Sequence, residues 1–154
     1  MIRFGSVDIR ATNSMNGDSC FVDTNILVYA HTPTEGSKYD VAGALLNDLW
    51  QSRRGVLSTQ VIQEFCYVLT RKMRPPRPVP EVVKRARNFL SWSIINSSPQ
   101  LAIQALELTE LYHVSYWDAL IIRAAQSVQC AVLYTEDLNN GQQFGSVRVV
   151  NPFA

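Results

Sequence analysis

From Ser19 onward the chain switches between two hydrophobic patterns. Short continuous apolar runs, Cys20-Phe21-Val22, Val56-Leu57 and Ala131-Val132-Leu133-Tyr134, have the length of buried strands. Between them, apolar residues recur at helical spacing, as in Ala44, Leu45 and Leu49, or Ile62, Phe65, Cys66 and Leu69. The pattern predicts strands near 19–23, 56–58, 93–97, 131–134 and 147–150, and helices over 26–30, 41–50, 59–73, 81–91, 99–113 and 116–128. Thr59 is the expected cap of the third helix. Thr32–Gly36 is a turn-rich break, Gly55 is expected to end the 41–50 element, and Arg74-Pro75-Pro76-Arg77-Pro78-Val79-Pro80 is expected as a stiff, non-helical connector. Strands alternating with helices imply an α/β fold with a central, mostly parallel sheet flanked by helices. Residues 1–18 are polar and aperiodic, and are expected as a loosely held N-terminal extension in which Met15 is an alternative start; residues 19–154 are expected as one domain.

Composition narrows this without redirecting it. A chain of 154 residues, 47% hydrophobic, is long enough for a single substantial core. A net charge of +1 implies no partner by itself. Cys20, Cys66 and Cys130 are odd in number, far apart and set in apolar runs, as buried thiols of a reducing compartment would be. With His31 and His113 as the only histidines, no zinc spacing occurs. No apolar run approaches the ~18 residues of a membrane span, and Asp8 falls where a signal peptide would need its apolar core. The expected location is the cytoplasm.

The candidate chemistry lies in four acids. Asp23 ends the first strand, Glu64 is one turn into a helix, Asp118 opens a strongly apolar helix, and Asp137 follows the Ala131–Tyr134 strand. In a parallel sheet such positions gather at the carboxyl ends of the strands, where ligands bind. Each acid also has a plain structural job. Asp23 would cap a helix, Asp118 completes a capping box with Ser115, Glu64 would be a solvated helix residue, and Asp137 would belong to the turn Glu136–Gly141. Four carboxylates at one sheet edge are hard oxygen ligands suited to Mg²⁺ or Mn²⁺, as one or two ions, and beside a phosphodiester they suggest a nuclease.

The ordered set of motifs resembles the PIN-domain ribonucleases. It comprises Phe21-Val-Asp23-Thr-Asn25-Ile-Leu-Val-Tyr29, Thr59-Gln-Val-Ile-Gln-Glu64-Phe, Tyr116-Trp-Asp118-Ala-Leu-Ile-Ile and Leu133-Tyr-Thr-Glu-Asp137-Leu-Asn-Asn-Gly141-Gln. The ending Val147-Arg-Val-Val-Asn-Pro-Phe153 is similar to a bacterial subgroup that includes VapC-type toxins. The resemblance covers residues 19–153. It implies a PIN-like three-layer fold and a metal-dependent endoribonuclease whose catalytic, metal-binding acids are Asp23, Glu64, Asp118 and Asp137. Thr24, Asn25 and Thr135 would be their polar support, and Glu136 leaves two candidates for the last acid. It implies 5′-phosphate and 3′-hydroxyl products, a toxin role with a small cognate antitoxin whose tail covers the acidic groove, and a homodimer formed through helices flanking the sheet. Phe65, Tyr67, Phe89 and Trp92 are the candidates for that dimer surface, with the core as the alternative place for them.

Seven of the 14 Lys and Arg residues fall between 71 and 87: Arg71, Lys72, Arg74, Arg77, Lys84, Arg85 and Arg87, opposed only by Glu81. Such a stretch beside the Glu64 helix would steer RNA phosphates, although a solvated helix end and basic loop explain it too. Trp92 and Trp117 are candidates for base stacking, but core packing is the expected job of both. A phospho-acceptor receiver domain would need a lysine after a late strand, and none follows Lys84. The alternative is a non-catalytic PIN-fold scaffold that binds RNA or protein.

Overall fold

The computed structural model describes residues 18–154, so all but the last residue of the expected extension lies outside the described residues. The first apolar run becomes β1 (Cys20–Val22), buried along its whole length, as a strand covered by helices on both faces must be. It pairs in parallel with β2 (Gly55–Ser58) on one side and with β4 (Val132–Tyr134) on the other. β3 (Ser93–Ile95) extends the sheet beyond β2. Beyond β4 lie β6 (Val147–Val150), parallel to it, and the short antiparallel β5 (Gln143–Phe144). The order β3-β2-β1-β4-β6-β5 makes β1 the strand from which the chain first builds one way and later the other. The β1–β4 boundary is therefore a topological switch point, the crevice where parallel α/β sheets take ligands.

The helices are α1 (Thr24–Ala30), α2 (Ser37–Ser52), α3 (Thr59–Tyr67), α4 (Val79–Asn88), α5 (Pro99–Tyr112) and α6 (Tyr116–Ser127). Several boundaries differ from the sequence expectation, each for a local reason. α1 starts two residues early because the Asp23 side chain accepts from the Thr24 N–H. Ser58, not Thr59, caps α3, its hydroxyl accepting from the Val61 N–H. The helix expected to run to Met73 is α-helical only to Tyr67 and continues as a π-helical turn over Val68–Lys72. The connector ends sooner than expected: Pro80 lies inside the first turn of α4, where a missing N–H costs nothing. β5 is too short to show a period of two in sequence.

Gly55 does not end a helix. Arg53, in the left-handed region at φ 59°, closes α2, and Gly55 begins β2. The reason lies across the sheet face, where the Trp92 ring covers Gly55. A Cβ there would stand 2.2 Å from a ring carbon. Trp92 cannot retreat, because it sits edge-on to Trp50 (5.4 Å between centroids) and Phe89 (5.6 Å), in a cluster that includes Phe65 and His31. Phe65, Phe89 and Trp92 are therefore core residues and not the dimer surface expected for them; only Tyr67 of that set is exposed. Gly55→Ala should cost about 1–3 kcal/mol through overpacking. Urea unfolding should show the lower midpoint with an unchanged slope.

Candidate active site

β1 ends at Val22, and the next residue turns the chain into α1. That residue, Asp23, is 6% exposed. One carboxylate oxygen accepts from the Thr24 N–H at 2.7 Å, and the other from the Thr135 hydroxyl at 2.8 Å. Thr135 follows β4, so this bond spans the switch point, with the Asp23 N–H donating to the Tyr134 carbonyl at 3.0 Å beneath it. Burial raises the Asp23 pKa from 3.8 to about 7. The Thr135 and Thr24 bonds oppose the rise, and the charges of Asp137 and Glu64 add to it.

The other acids come in on separate elements. Glu64 accepts from the Thr24 hydroxyl at 2.5 Å and from the Gln60 side-chain amide at 2.9 Å. Asp137 accepts from the Asn25 side-chain amide at 2.9 Å, while its own N–H donates to the Thr135 hydroxyl. Asp118 is the third residue of α6, where the Ser115 hydroxyl caps its N–H at 3.1 Å. Burial raises its pKa; the Ser115 hydroxyl pulls the other way, and Asp137 and Glu64 add to the rise. Thr24, Asn25, Val28 and Tyr29 of α1 line a cavity of about 300 Å³ with Glu64, Val68 and Asp137.

The expected acids thus converge on one end of the sheet, and Thr24, Asn25 and Thr135 are their hydrogen-bonding support. They converge loosely: among the described residues no three Asp, Glu, His or Cys side chains close on one point as metal ligands would. Asp23, Glu64 and Asp137 are each tied to their own donors. The donor set nevertheless suits a hard divalent cation, being oxygen throughout and without imidazole or thiolate. The Asn25 side-chain oxygen is buried beside Asp137 and accepts no hydrogen bond from the described residues, which leaves one more oxygen ligand to offer.

Glu136 is engaged elsewhere. The Tyr29 hydroxyl donates to one of its oxygens and Lys38 to the other at 2.8 Å, so Asp137 is the acid that joins the cavity. Burial would raise the Glu136 pKa, but its bonds to Lys38 and Tyr29 bring it below the ordinary value. Lys38 also lies over the Tyr29 and Phe153 rings, at 4.7 and 5.4 Å. Sequence reasoning missed Lys38 and Gln60. Gln60 had a readable signal, standing one helical turn before Glu64, whereas Lys38 lies 98 residues from Glu136 and had none. Of the basic stretch, Arg77 and Arg85 both pair with Glu81, at 3.0 and 3.1 Å, and Arg77 also holds the His31 carbonyl. Those two charges are partly committed to structure.

A family model described as PIN domain matches residues 20–141, most of the chain and all four acids. The chain belongs to the PIN domain family. Solved structures agree on the PIN fold. Mycobacterium tuberculosis VapC20, a sarcin–ricin-loop-cleaving toxin, is 22% identical with a TM-score of 0.63, over 84% of this chain and 99% of that one. A toxin–antitoxin complex from Klebsiella pneumoniae gives 24% identity and 0.63, over 87% and 98%. VapBC2 from Rickettsia felis, bound to a DNA fragment from its promoter, gives 22% and 0.58, over 84% and 96%. No curated protein matches the chain significantly. Among the described residues of this PIN domain no helix is long and apolar enough to cross a membrane, and Cys20, Cys66 and Cys130 are free thiols.

The raised Asp23 pKa has a definite sign. The folded state keeps this proton up to about pH 7, whereas the unfolded chain releases it near 3.8. Its contribution to stability is complete below about pH 4 and is lost as pH rises to about 7. Asp118 acts in the same direction. Melting temperatures in EDTA should therefore fall across this window, and Asp23→Asn should flatten the fall. An equal slope in the variant would rule Asp23 out as the group responsible.

Proposed function

We propose that this PIN domain is a divalent-metal-dependent endoribonuclease that acts as the toxin of a toxin–antitoxin pair. The observation that carries the reading is the convergence of Asp23, Glu64, Asp118 and Asp137 from four separate segments on the switch point of the sheet. A purely structural account explains each acid singly, but gives no reason for four mutually repelling carboxylates at one end of a fold. The family and the fold shared with VapC toxins lend the reading its substrate class and partner.

Asp23, Glu64, Asp118 and Asp137 would hold Mg²⁺ or Mn²⁺, as one or two ions. A cation held there would supply acidification of a water, orientation of the phosphate and screening of charge on the leaving oxygen. The protein's own groups prepare the place. Thr135 and the Thr24 N–H fix both oxygens of Asp23, the Thr24 hydroxyl and Gln60 hold Glu64, and Asn25 holds Asp137. Asp23 would have to release its proton to hold a cation, so affinity should weaken as pH falls below about 7. With water as nucleophile, the products are 5′-phosphate and 3′-hydroxyl ends. Arg71, Lys72, Arg74, Lys84 and Arg87, with whatever charge Arg77 and Arg85 retain, would draw the RNA backbone in.

An antitoxin peptide would close the acidic cavity, and the chain would work as a homodimer in the cytoplasm. The apolar surface for pairing would come from the exposed Ile103, Leu106 and Leu111 of α5 in place of the buried aromatics first expected. A monomeric mass by light scattering at micromolar concentration would count against pairing. The looseness of the acid cluster favours one second reading, a PIN scaffold that binds RNA or protein without cleaving it.

Cleavage assays and melts separate the two. Asp23→Asn and Asp118→Asn should abolish RNA cleavage in Mg²⁺ or Mn²⁺ while keeping native circular dichroism, and Glu64→Gln should weaken it. Wild-type activity in either aspartate variant would show the site assignment to be wrong. The metal has a signature of its own. At 100 times the dissociation constant, Mn²⁺ should stabilise the wild type by about 2.7 kcal/mol. In EDTA, Asp118→Asn should melt above the wild type, because one repelling charge is gone, and should gain less from Mn²⁺. If Asp118 served only its helix end, the variant would melt lower, by about 0.5–1 kcal/mol. A wild type that Mn²⁺ does not stabilise would sink the metal site.

A further inference from the structure

One large aromatic beside the acids is left outside the core. Trp117 is 65% exposed, against the expectation that it would join the core as Trp92 does. Its position is nonetheless well fixed. It is the second residue of α6, immediately before Asp118, on a turn capped by Ser115. Its neighbour Tyr116 packs edge-on against it at 5.5 Å and anchors its hydroxyl to the Ala102 carbonyl at 3.0 Å. The Gln60 side-chain amide that donates to Glu64 also donates to the Trp117 carbonyl, at 3.4 Å. One amide thus ties the backbone under the exposed indole to an acid of the site, and Gln60 lies one helical turn, ~6 Å, before Glu64. The backbone that carries the exposed indole therefore lies at the rim of the acidic end.

We propose that Trp117 is the platform of a nucleobase subsite, on which a base next to the cleaved phosphodiester stacks. This rests on the RNA-cleaving reading above and adds the means of gripping the substrate. Without a bound cation the carboxylates repel phosphates, so a grip that does not depend on charge adds hold next to the acids. Stacking needs no charge. Every base has a π-face, so the grip tolerates any sequence. It requires an unstacked base, so the subsite selects single-stranded RNA, loops or bulges over continuous duplex.

Trp117 can be read directly. Trp92 is buried and Trp50 half-buried, so the exposed indole gives the fluorescence signal that responds at the surface. The full-length chain is titrated in EDTA, where no cleavage is expected, with a single-stranded oligoribonucleotide, its duplex, and the same strand carrying abasic sites. The single strand should quench wild-type emission, and Trp117→Phe should remove the quenching while keeping affinity within roughly a few-fold. Trp117→Ala should bind the base-bearing strand about 5- to 150-fold more weakly. It should bind the abasic strand as the wild type does and melt at an unchanged temperature. In Mn²⁺ the loss should fall on KM and leave kcat in place, because the contact is the same before and during reaction. Equal affinity of wild type and Trp117→Ala for a base-bearing strand that both bind would overturn the subsite and leave the nuclease reading standing. If the variant also changed its self-association, the indole would be a protein contact. A wild type that neither binds nor cleaves any of these strands would overturn both readings.

Discussion

The hydrogen bond from the Thr135 hydroxyl to the buried Asp23 carboxylate joins the two central strands at the point where the sheet changes direction. Much of the site depends on it. A carboxyl group this deep would be costly without partners, and it has two: the first N–H of α1 and the first hydroxyl after β4. The same Thr135 oxygen accepts from the Asp137 N–H, so the loop bearing the last acid is hung from the residue that holds the first. Through Thr24, the turn that Asp23 caps also reaches Glu64 on α3. Three segments far apart in the chain are thereby tied into one polar cluster.

Two neighbouring acids with opposite assignments show how packing divides labour that sequence leaves mixed. Glu136 is drawn to Lys38 and Tyr29, beneath the C-terminal ring of Phe153. Asp137, one residue on, turns to Asn25 and the cavity. Two adjacent carboxylates in the same place would repel each other, and a cation and a phenol on one side remove that conflict. The aromatic residues divide in the same way. Phe65, Phe89, Trp50 and Trp92 pack edge-to-face or stacked behind the sheet, in pairs worth about 0.5–1.5 kcal/mol beyond their burial, and Trp117 remains outside.

The electrostatic pattern is that of acids gathered at a cost, with burial raising the pKa of both Asp23 and Asp118. A carboxylate with a pKa near 7 is poised to exchange a proton for a cation under ordinary conditions. The basic stretch follows α3 in the chain and is partly neutralised where Arg77 and Arg85 share Glu81.

The alternation of apolar runs and helical periods was enough to determine an α/β fold with a mostly parallel sheet, because strand burial and helix amphipathicity are local in the chain. The four acids and Thr24, Asn25 and Thr135 were legible for a related reason: strand ends and helix starts are where such a sheet presents side chains. Cap identity, the π-helical turn after Tyr67 and the two-residue β5 were not legible, since each is settled by one or two hydrogen bonds that leave no period. Only the tertiary structure decided that Glu136 answers to Lys38, that Gly55 is small because Trp92 covers it, and that of two similar tryptophans one is core and the other surface. These outcomes depend on residues dozens of positions apart meeting in space, and a one-dimensional pattern carries hydrophobicity and spacing but not which distant side chain arrives to fill a given place.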